Sequence, residues 1–223
     1  MNTFQRSSKA RLTHHDAGRF AGGTLFDRVA RAVCDAGCLP RKELYEAWEV
    51  ARRTRRLFRG GRVVDLAAGH GLLAHLMLLL DDSSPSAIAA DTALPPSASK
   101  LHTALVAAWP RLEGRVSFAS QDVDDVVLAA EDVVVSSHAC GALTDRILDR
   151  AAAARARVAV LPCCHDAGRG ATGGLTGWID GALAMDVMRA VRLEQRGYRV
   201  WTQTIPGDIT PKNRLLLGEP IAR

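Results

Sequence analysis

From Gly60 onward the apolar residues come in short runs, each separated from the next by a stretch with helical spacing. The runs "RVVDLA" (62–67), "SAIAAD" (86–91), "RVSFAS" (115–120), "DVVVSS" (132–137) and "RVAVLPC" (157–163) predict strands, and Leu72–Leu80 and Ser97–Trp109 between them predict helices. Strands that alternate with helices imply right-handed βαβ units and a parallel sheet. The C-terminal end breaks that rhythm. A predicted helix over 177–196 leads into "YRVWTQTIP" (198–206) and then "NRLLLGEP" (213–220), two runs too close in sequence for a crossover helix. They predict an antiparallel hairpin.

Ahead of Gly60 the pattern differs. Residues 1–20 have little periodicity, which predicts a basic tail without fixed structure. Thr24 is placed to cap a helix over 25–37, and "GCLP" breaks the chain after it. A second helix over 41–58 carries Leu44, Trp48 and Ala51 on one stripe, with Arg52, Arg53, Arg55 and Arg56 crowding its last turns. The chain therefore divides into a tail (1–20), a helical N-terminal extension (21–59) and an α/β domain (60–223).

Composition adds limits. Hydrophobic residues make up 48% and charged residues 24%, the balance of a globular protein, and "LLAHLMLLL" falls well short of the roughly 20 apolar residues a membrane span needs. The five cysteines are odd in number and two are adjacent, which fits a reducing cytoplasm better than a secreted disulfide framework. No charged start followed by an apolar segment predicts a secretory signal. Residues 1–60 hold 13 Lys/Arg against 6 Asp/Glu, a net of +7, while the chain as a whole is only +5. That asymmetry suits an anionic partner, with RNA the foremost candidate, held by the N-terminal segment; the competing reading is an arginine-rich helix face that complements the helix dipole. Aromatic residues, at 5%, are too few to predict a base-stacking platform.

The chemistry concentrates at the strand ends. "VVDLAAGHGLLA" (63–74) is a strand, an acid, a glycine turn and a helix, in which Gly69 and Gly71 let the backbone approach a ligand beside free helix N–H groups. The first glycine of a dinucleotide G-x-G-x-x-G loop is missing. Asp91, 20 residues after Gly71, ends the next strand, where a carboxylate accepts from both ribose hydroxyls, and Asp122 in "SQD" follows the third strand. Either acid alone also reads as a helix cap. Together they place an adenosine ligand across the C-terminal edge of the sheet.

With those motifs the chain resembles the class I S-adenosylmethionine-dependent methyltransferases. The resemblance covers about residues 60–220 and implies a Rossmann-like seven-stranded sheet, parallel with an antiparallel C-terminal hairpin. It also implies S-adenosylmethionine as cofactor, with Asp65 placing its amino group, the backbone at Ala67, Gly69 and Gly71 its methionine part, Asp91 its ribose and Asp122 its adenine. Ala67 replaces the usual first glycine, which requires φ < 0 there. "SSHACGALTD" (136–145), "LPCCHD" (161–166) and "TPKNRLLLG" (210–218) are similar to elements of the tRNA acceptor-stem 2′-O-methyltransferases. They are also similar to the methyltransferase domains of glutathione S-transferase C-terminal-domain-containing proteins.

The resemblance puts His138 in the role of general base, against a purely orienting histidine, and offers Cys140 as an alternative nucleophile. It sets Gly141, Cys163, Cys164, His165, Lys212, Asn213 and Arg214 toward the substrate. Lys212 and Arg214 are read either as phosphate contacts or as a polar turn. No metal is expected, because adjacent Cys163 and Cys164 do not easily chelate one ion and no C-x-x-C spacing occurs. One of those two cysteines is expected to be buried, and Asp145 to cap a helix or face solvent.

Overall fold

A computed structural model of the chain describes residues 4–165 and 171–222. Among these residues six α-helices, α1 (Leu25–Ala36), α2 (Arg41–Leu57), α3 (Leu72–Leu79), α4 (Ala98–Ala108), α5 (Ala142–Ala154) and α6 (Gly181–Gln195), surround one sheet. Its strands are β1 (Val63–Leu66), β2 (Ala87–Asp91), β3 (Val116–Ser120), β4 (Val133–Ser136), β5 (Arg157–Val160), β6 (Tyr198–Thr204) and β7 (Arg214–Pro220). The order is β3-β2-β1-β4-β5-β7-β6. Neighbours from β3 to β5 pair in parallel, and β7 runs antiparallel to both β5 and β6. This is the sheet the sequence pattern and the resemblance predict.

The period of two along each strand sorts side chains into two cores. Val63, Ala87, Val133, Val135 and Leu217 pack with helices α1 to α4 on one face, and Val64, Leu66, Val134, Val158 and Leu216 pack with α5 and α6 on the other. Thr24 starts α1 through a capping box: its hydroxyl accepts the Asp27 N–H at 3.1 Å and the Asp27 carboxylate accepts the Thr24 N–H at 3.2 Å. Gly37, with φ +63°, ends it. Helix α5 follows directly on the "SSHACG" motif, and the sequence pattern did not separate it from that motif.

The N-terminal region departs from expectation. Residues 4–20 are structured, not a loose tail: Leu12 and Phe20 are buried, and a 3-10 helix spans His14–Phe20. The Leu12 N–H donates to the Leu39 carbonyl at 2.9 Å, the Arg41 N–H donates to the Ala10 carbonyl at 3.0 Å, and the Arg41 guanidinium lies 3.5 Å from the Phe4 ring centroid. Two isolated apolar residues create no periodic signal, yet both join the main core, Phe20 with its ring edge-on to those of Phe4 and Phe26. The extension shares one continuous core with the sheet, from Leu12 and Val29 through Phe58 to Val63 and Leu76.

Much of the N-terminal positive charge is spent internally. Arg52 and Arg53 both reach Glu49, and Lys42 donates to Glu46 at 2.6 Å. Arg55 is buried across the expected boundary at residue 60, donating to the Met77 carbonyl at 2.9 Å and the Ser84 hydroxyl at 2.7 Å, and paired with Asp81 at 3.1 Å. Burial lowers its pKa to about 10, so it stays charged at neutral pH. Among the described residues no helix is long and apolar enough to cross a membrane.

Candidate functional site

The turn after β1 holds three residues in the left-handed region: Ala67 at φ +57°, Gly69 at +53° and Gly71 at +72°. The Ala67 value overturns the expectation of φ < 0. The chain must reverse within a few residues of the strand end, and the Gly71 N–H to Ala68 carbonyl bond at 2.8 Å closes that turn whichever residue occupies 67. An alanine there costs about 1–2 kcal/mol relative to an ordinary conformation. The glycines serve different purposes. A methyl group added at Gly69 would meet nothing within 4 Å, whereas one at Gly71 would lie 2.9 Å from the Phe118 ring and 3.0 Å from Ala89. Gly69 faces open space, and Gly71 lets α3 sit on the sheet.

Asp91 faces this turn from the end of β2. One carboxylate oxygen accepts the Gly69 N–H at 2.9 Å and the other accepts the Ala93 N–H at 3.0 Å. Each oxygen keeps a second lone pair for a ligand. Asp91, Ala67, Gly69, His70, Leu72, Leu73, Ser137 and His138 line one cleft of about 370 Å³. Its outer wall comes from Leu39, Glu43 and Ala47 at the N-terminal side of the molecule, so the extension is part of the site. The sequence carried no signal for this, because Glu43 reads there as an ordinary first-turn helix acid.

The turn is braced from behind. Asp65 is buried, accepts the Ala74 N–H at 3.2 Å in the first turn of α3, and has its carboxyl pushed up to about 8 by burial. It does not line the cleft, and its bond to Ala74 ties the end of β1 to the start of α3. His75, also fully buried, contacts the Gly71 carbonyl through Nδ1 at 2.7 Å and His102 Nδ1 through Nε2 at 3.0 Å. A carbonyl only accepts, so His75 Nδ1 carries the proton and its bare Nε2 accepts from His102.

The ends of β4 and β5 meet beside the cleft. A one-residue parallel bridge pairs Cys140 with Cys164, and the Gly141 N–H donates to the Cys164 carbonyl at 3.1 Å. The Cys140 and Cys163 sulfurs are 2.9 Å apart and those of Cys163 and Cys164 3.8 Å apart. Cys163 is half-buried while Cys140 and Cys164 are exposed, so neither of the adjacent cysteines is buried as expected. Burial pushes the Cys140 thiol above its ordinary value, opposite to what an attacking thiolate requires. The three thiols are not among the cleft-lining residues; His138, two residues before Cys140, is.

Helix α6 ties these loops together. Arg189, buried, donates to the Gly141 carbonyl at 3.1 Å and pairs with Asp145 at 2.9 Å and Asp186 at 3.0 Å. Asp186 in turn accepts from His165 Nε2 at 2.8 Å and Arg214 Nε at 2.7 Å. Asp145 is thus an internal ion-pair partner, neither a cap nor a solvent-facing acid, and Arg189 and Arg192 hold its pKa below the usual range despite burial. The acid and base at spacing i,i+3 inside the apolar run "ALAMDVMRAV" are the sequence signal for Asp186 and Arg189.

Other expected site residues lie apart from the cleft lining. Asp122 accepts the Asp124 N–H at 2.9 Å and is engaged by Arg146. Asn213 donates to the Ile205 carbonyl at 3.0 Å inside the hairpin, and Lys212 is exposed at its turn. Arg214 lines a separate groove of about 670 Å³ between α6 and the β6–β7 hairpin, which shares no residue with the glycine turn. Asp166 lies outside the described residues.

The sheet order, the glycine turn and the acid ending β2 define a class I methyltransferase fold. The methyltransferase-domain family matches residues 43–168, more than half of the chain, and the protein belongs to that family. Among solved structures, S-adenosylmethionine-dependent methyltransferase SibL is similar at TM-score 0.54 and 19% identity, covering 96% of this chain and 66% of that one. An O-methyltransferase family protein from Burkholderia thailandensis gives 0.53 and 20%, covering 96% and 65%. The M1A22 tRNA methyltransferase TrmK of B. subtilis gives 0.50 and 16%, covering 78% and 65%. The chain thus spans about two thirds of each of these structures, and at such identities the likeness is one of fold. Comparison with curated proteins gives no match.

Proposed function

We propose that the protein is an S-adenosylmethionine-dependent methyltransferase whose acceptor is structured RNA. The observation that carries the cofactor reading is Asp91, its carboxylate 2.9 Å from the Gly69 N–H and facing a turn with open space in front of it. A nucleoside sulfonium needs a diol acceptor, close backbone approach and apolar walls, and Asp91, Gly69 and the side chains of Leu72 and Leu73 fit those needs. When bound, the cofactor supplies an electrophilic methyl group. Asp91 holds the ribose hydroxyls and disfavours a 2′-phosphate, while backbone from Ala67 to Gly71 holds the methionine end. Asp122, already engaged by Arg146, shapes the loop after β3 and leaves the adenine to other groups.

His138 in the cleft wall takes the proton from a hydroxyl or amine acceptor held in line with the methyl group. For RNA, support comes from the resemblance of the His138–Gly141 and Cys163–His165 elements to those of the tRNA acceptor-stem enzymes. Lys9, Arg11 and Arg56 add to it: all are exposed and form no ion pair among the described residues.

Two measurements test the proposal. Calorimetry is expected to show S-adenosylmethionine binding that weakens at least about 10-fold in Asp91→Ala, the loss of a charge-assisted hydrogen bond. No binding at millimolar cofactor, or an unchanged affinity in the variant, rejects the cofactor and leaves a non-catalytic binding module. Labelled cofactor with total cellular RNA is expected to label RNA, and His138→Ala to lose turnover while keeping cofactor affinity. Label confined to protein or metabolite fractions rejects RNA in favour of those acceptors.

A further inference from the structure

We propose that Cys140, Cys163 and Cys164 form a zinc site at the rim of the cleft, with three thiolate ligands and a fourth position left for an external ligand. The three sulfurs lie within 4.8 Å of one another. A tetrahedral ion with Zn–S near 2.3 Å sets its sulfurs about 3.8 Å apart. The Cys163 and Cys164 sulfurs already stand 3.8 Å apart, and that of Cys140 needs to open from 2.9 Å to Cys163 by about one ångström, within reach of a χ1 rotation at an exposed side chain.

The expectation of no metal rested on adjacent cysteines being poor joint ligands. The fold supplies what the sequence spacing lacked. The bridge between Cys140 and Cys164 brings a third sulfur from the neighbouring loop, and the Gly141 to Cys164 bond locks the two loops in register.

The surroundings are built like the outer sphere of a metal site. Arg189 clamps the Gly141 carbonyl, and Asp186 fixes His165, whose side chain is only 3% exposed. The other ring nitrogen of His165, next in sequence to Cys164, is buried without a partner among the described residues. The Asp186–His165 pair thereby fixes the residue that follows Cys164. None of this frame is needed to hold the adenosyl end of the cleft.

Binding needs no oxidant. Each thiol releases its proton to solvent as its sulfur bonds the ion. An open fourth position lets the ion act as a Lewis acid toward an oxygen, nitrogen or sulfur donor, and Cys140 is two residues from His138 in the cleft wall. The proposal does not depend on the cofactor reading, because its test measures metal alone.

The full chain, purified under reducing conditions and dialysed after exposure to zinc, is expected to carry about one zinc per chain by elemental analysis. Cobalt in its place is expected to give a sulfur-to-metal charge-transfer band. Cys140→Ser, Cys163→Ser and Cys164→Ser should each weaken affinity by more than about 100-fold, beyond the loss that accompanies an outer-sphere change. Cys34→Ser, in the core of α1, should leave zinc content unchanged. Circular dichroism of each variant separates ligand loss from unfolding. Absence of zinc and of the cobalt band in the wild-type chain overturns the proposal, as does wild-type affinity in the serine variants. A Cys140–Cys163 disulfide whose reduction yields no metal binding overturns it too.

Discussion

Gly69 and Gly71 are separated by one residue, yet they fail differently when a methyl group is added. Gly71→Ala meets both a φ of +72° and a 2.9 Å approach to Phe118, so the expected loss is about 3 kcal/mol in urea denaturation. Gly69→Ala carries only the backbone term, about 1 kcal/mol, and projects its methyl into the cleft. Its larger effect should be on cofactor affinity by calorimetry.

His75 gives the pH dependence at this scale. Burial depresses its pKa from 6.5 to about 4, and its bare Nε2 must accept from His102. The unfolded chain therefore binds the proton more readily than the folded one. Stability from this group is complete above about pH 6.5 and is lost as pH falls toward 4, by up to ~3 kcal/mol. Urea midpoints at pH 7 and pH 4.5 should fall further in the wild type than in His75→Gln. The residue scale is also where the sequence was least legible. The φ at Ala67 depends on the path of the turn, and the pairing of Asp122 with Arg146 joins residues 24 positions apart.

At the scale of elements, α6 organises the loops after β4 and β5 through one buried guanidinium. Arg189→Met leaves Asp145 and Asp186 without their shared partner, a change expected to cost about 3–5 kcal/mol. Calorimetric melting should show Tm lowered by about 10 °C for a chain of this size. A shift within error would mean that Arg192 and Arg214 alone suffice. Element positions were legible because periodicity is local: the predicted helix over 25–37 is observed as Leu25–Ala36 and the strand over 198–206 as Tyr198–Thr204. Helix α5 was not, although Thr144, Ile147, Leu148 and Ala151 form its buried stripe, because it begins directly after Gly141 with no side-chain cap to mark its start.

Across the whole molecule the N-terminal region is a wall of both the core and the cleft. Leu12, Phe20, Val29, Val33 and Leu39 are each buried. At roughly 1.5–3 kcal/mol apiece their burial is on the order of 10 kcal/mol, comparable to the 5–15 kcal/mol that separates most folded domains from unfolding. A chain starting at Arg41 should show no cooperative thermal transition. A sharp transition near that of the full chain would make the extension a separate lobe.

By itself the sequence determined the order of strands and helices, the antiparallel ending and the glycine turn with Asp91 beside it. These follow from periodicity and short-range stereochemistry. Only the tertiary structure decided which polar groups meet: Asp65 behind the turn, Glu43 over the cleft, Arg189 between two loops, and three sulfurs converging from β4 and β5. Those contacts join residues separated by tens of positions, and their energies depend on burial and on distance through space, neither of which a linear pattern records.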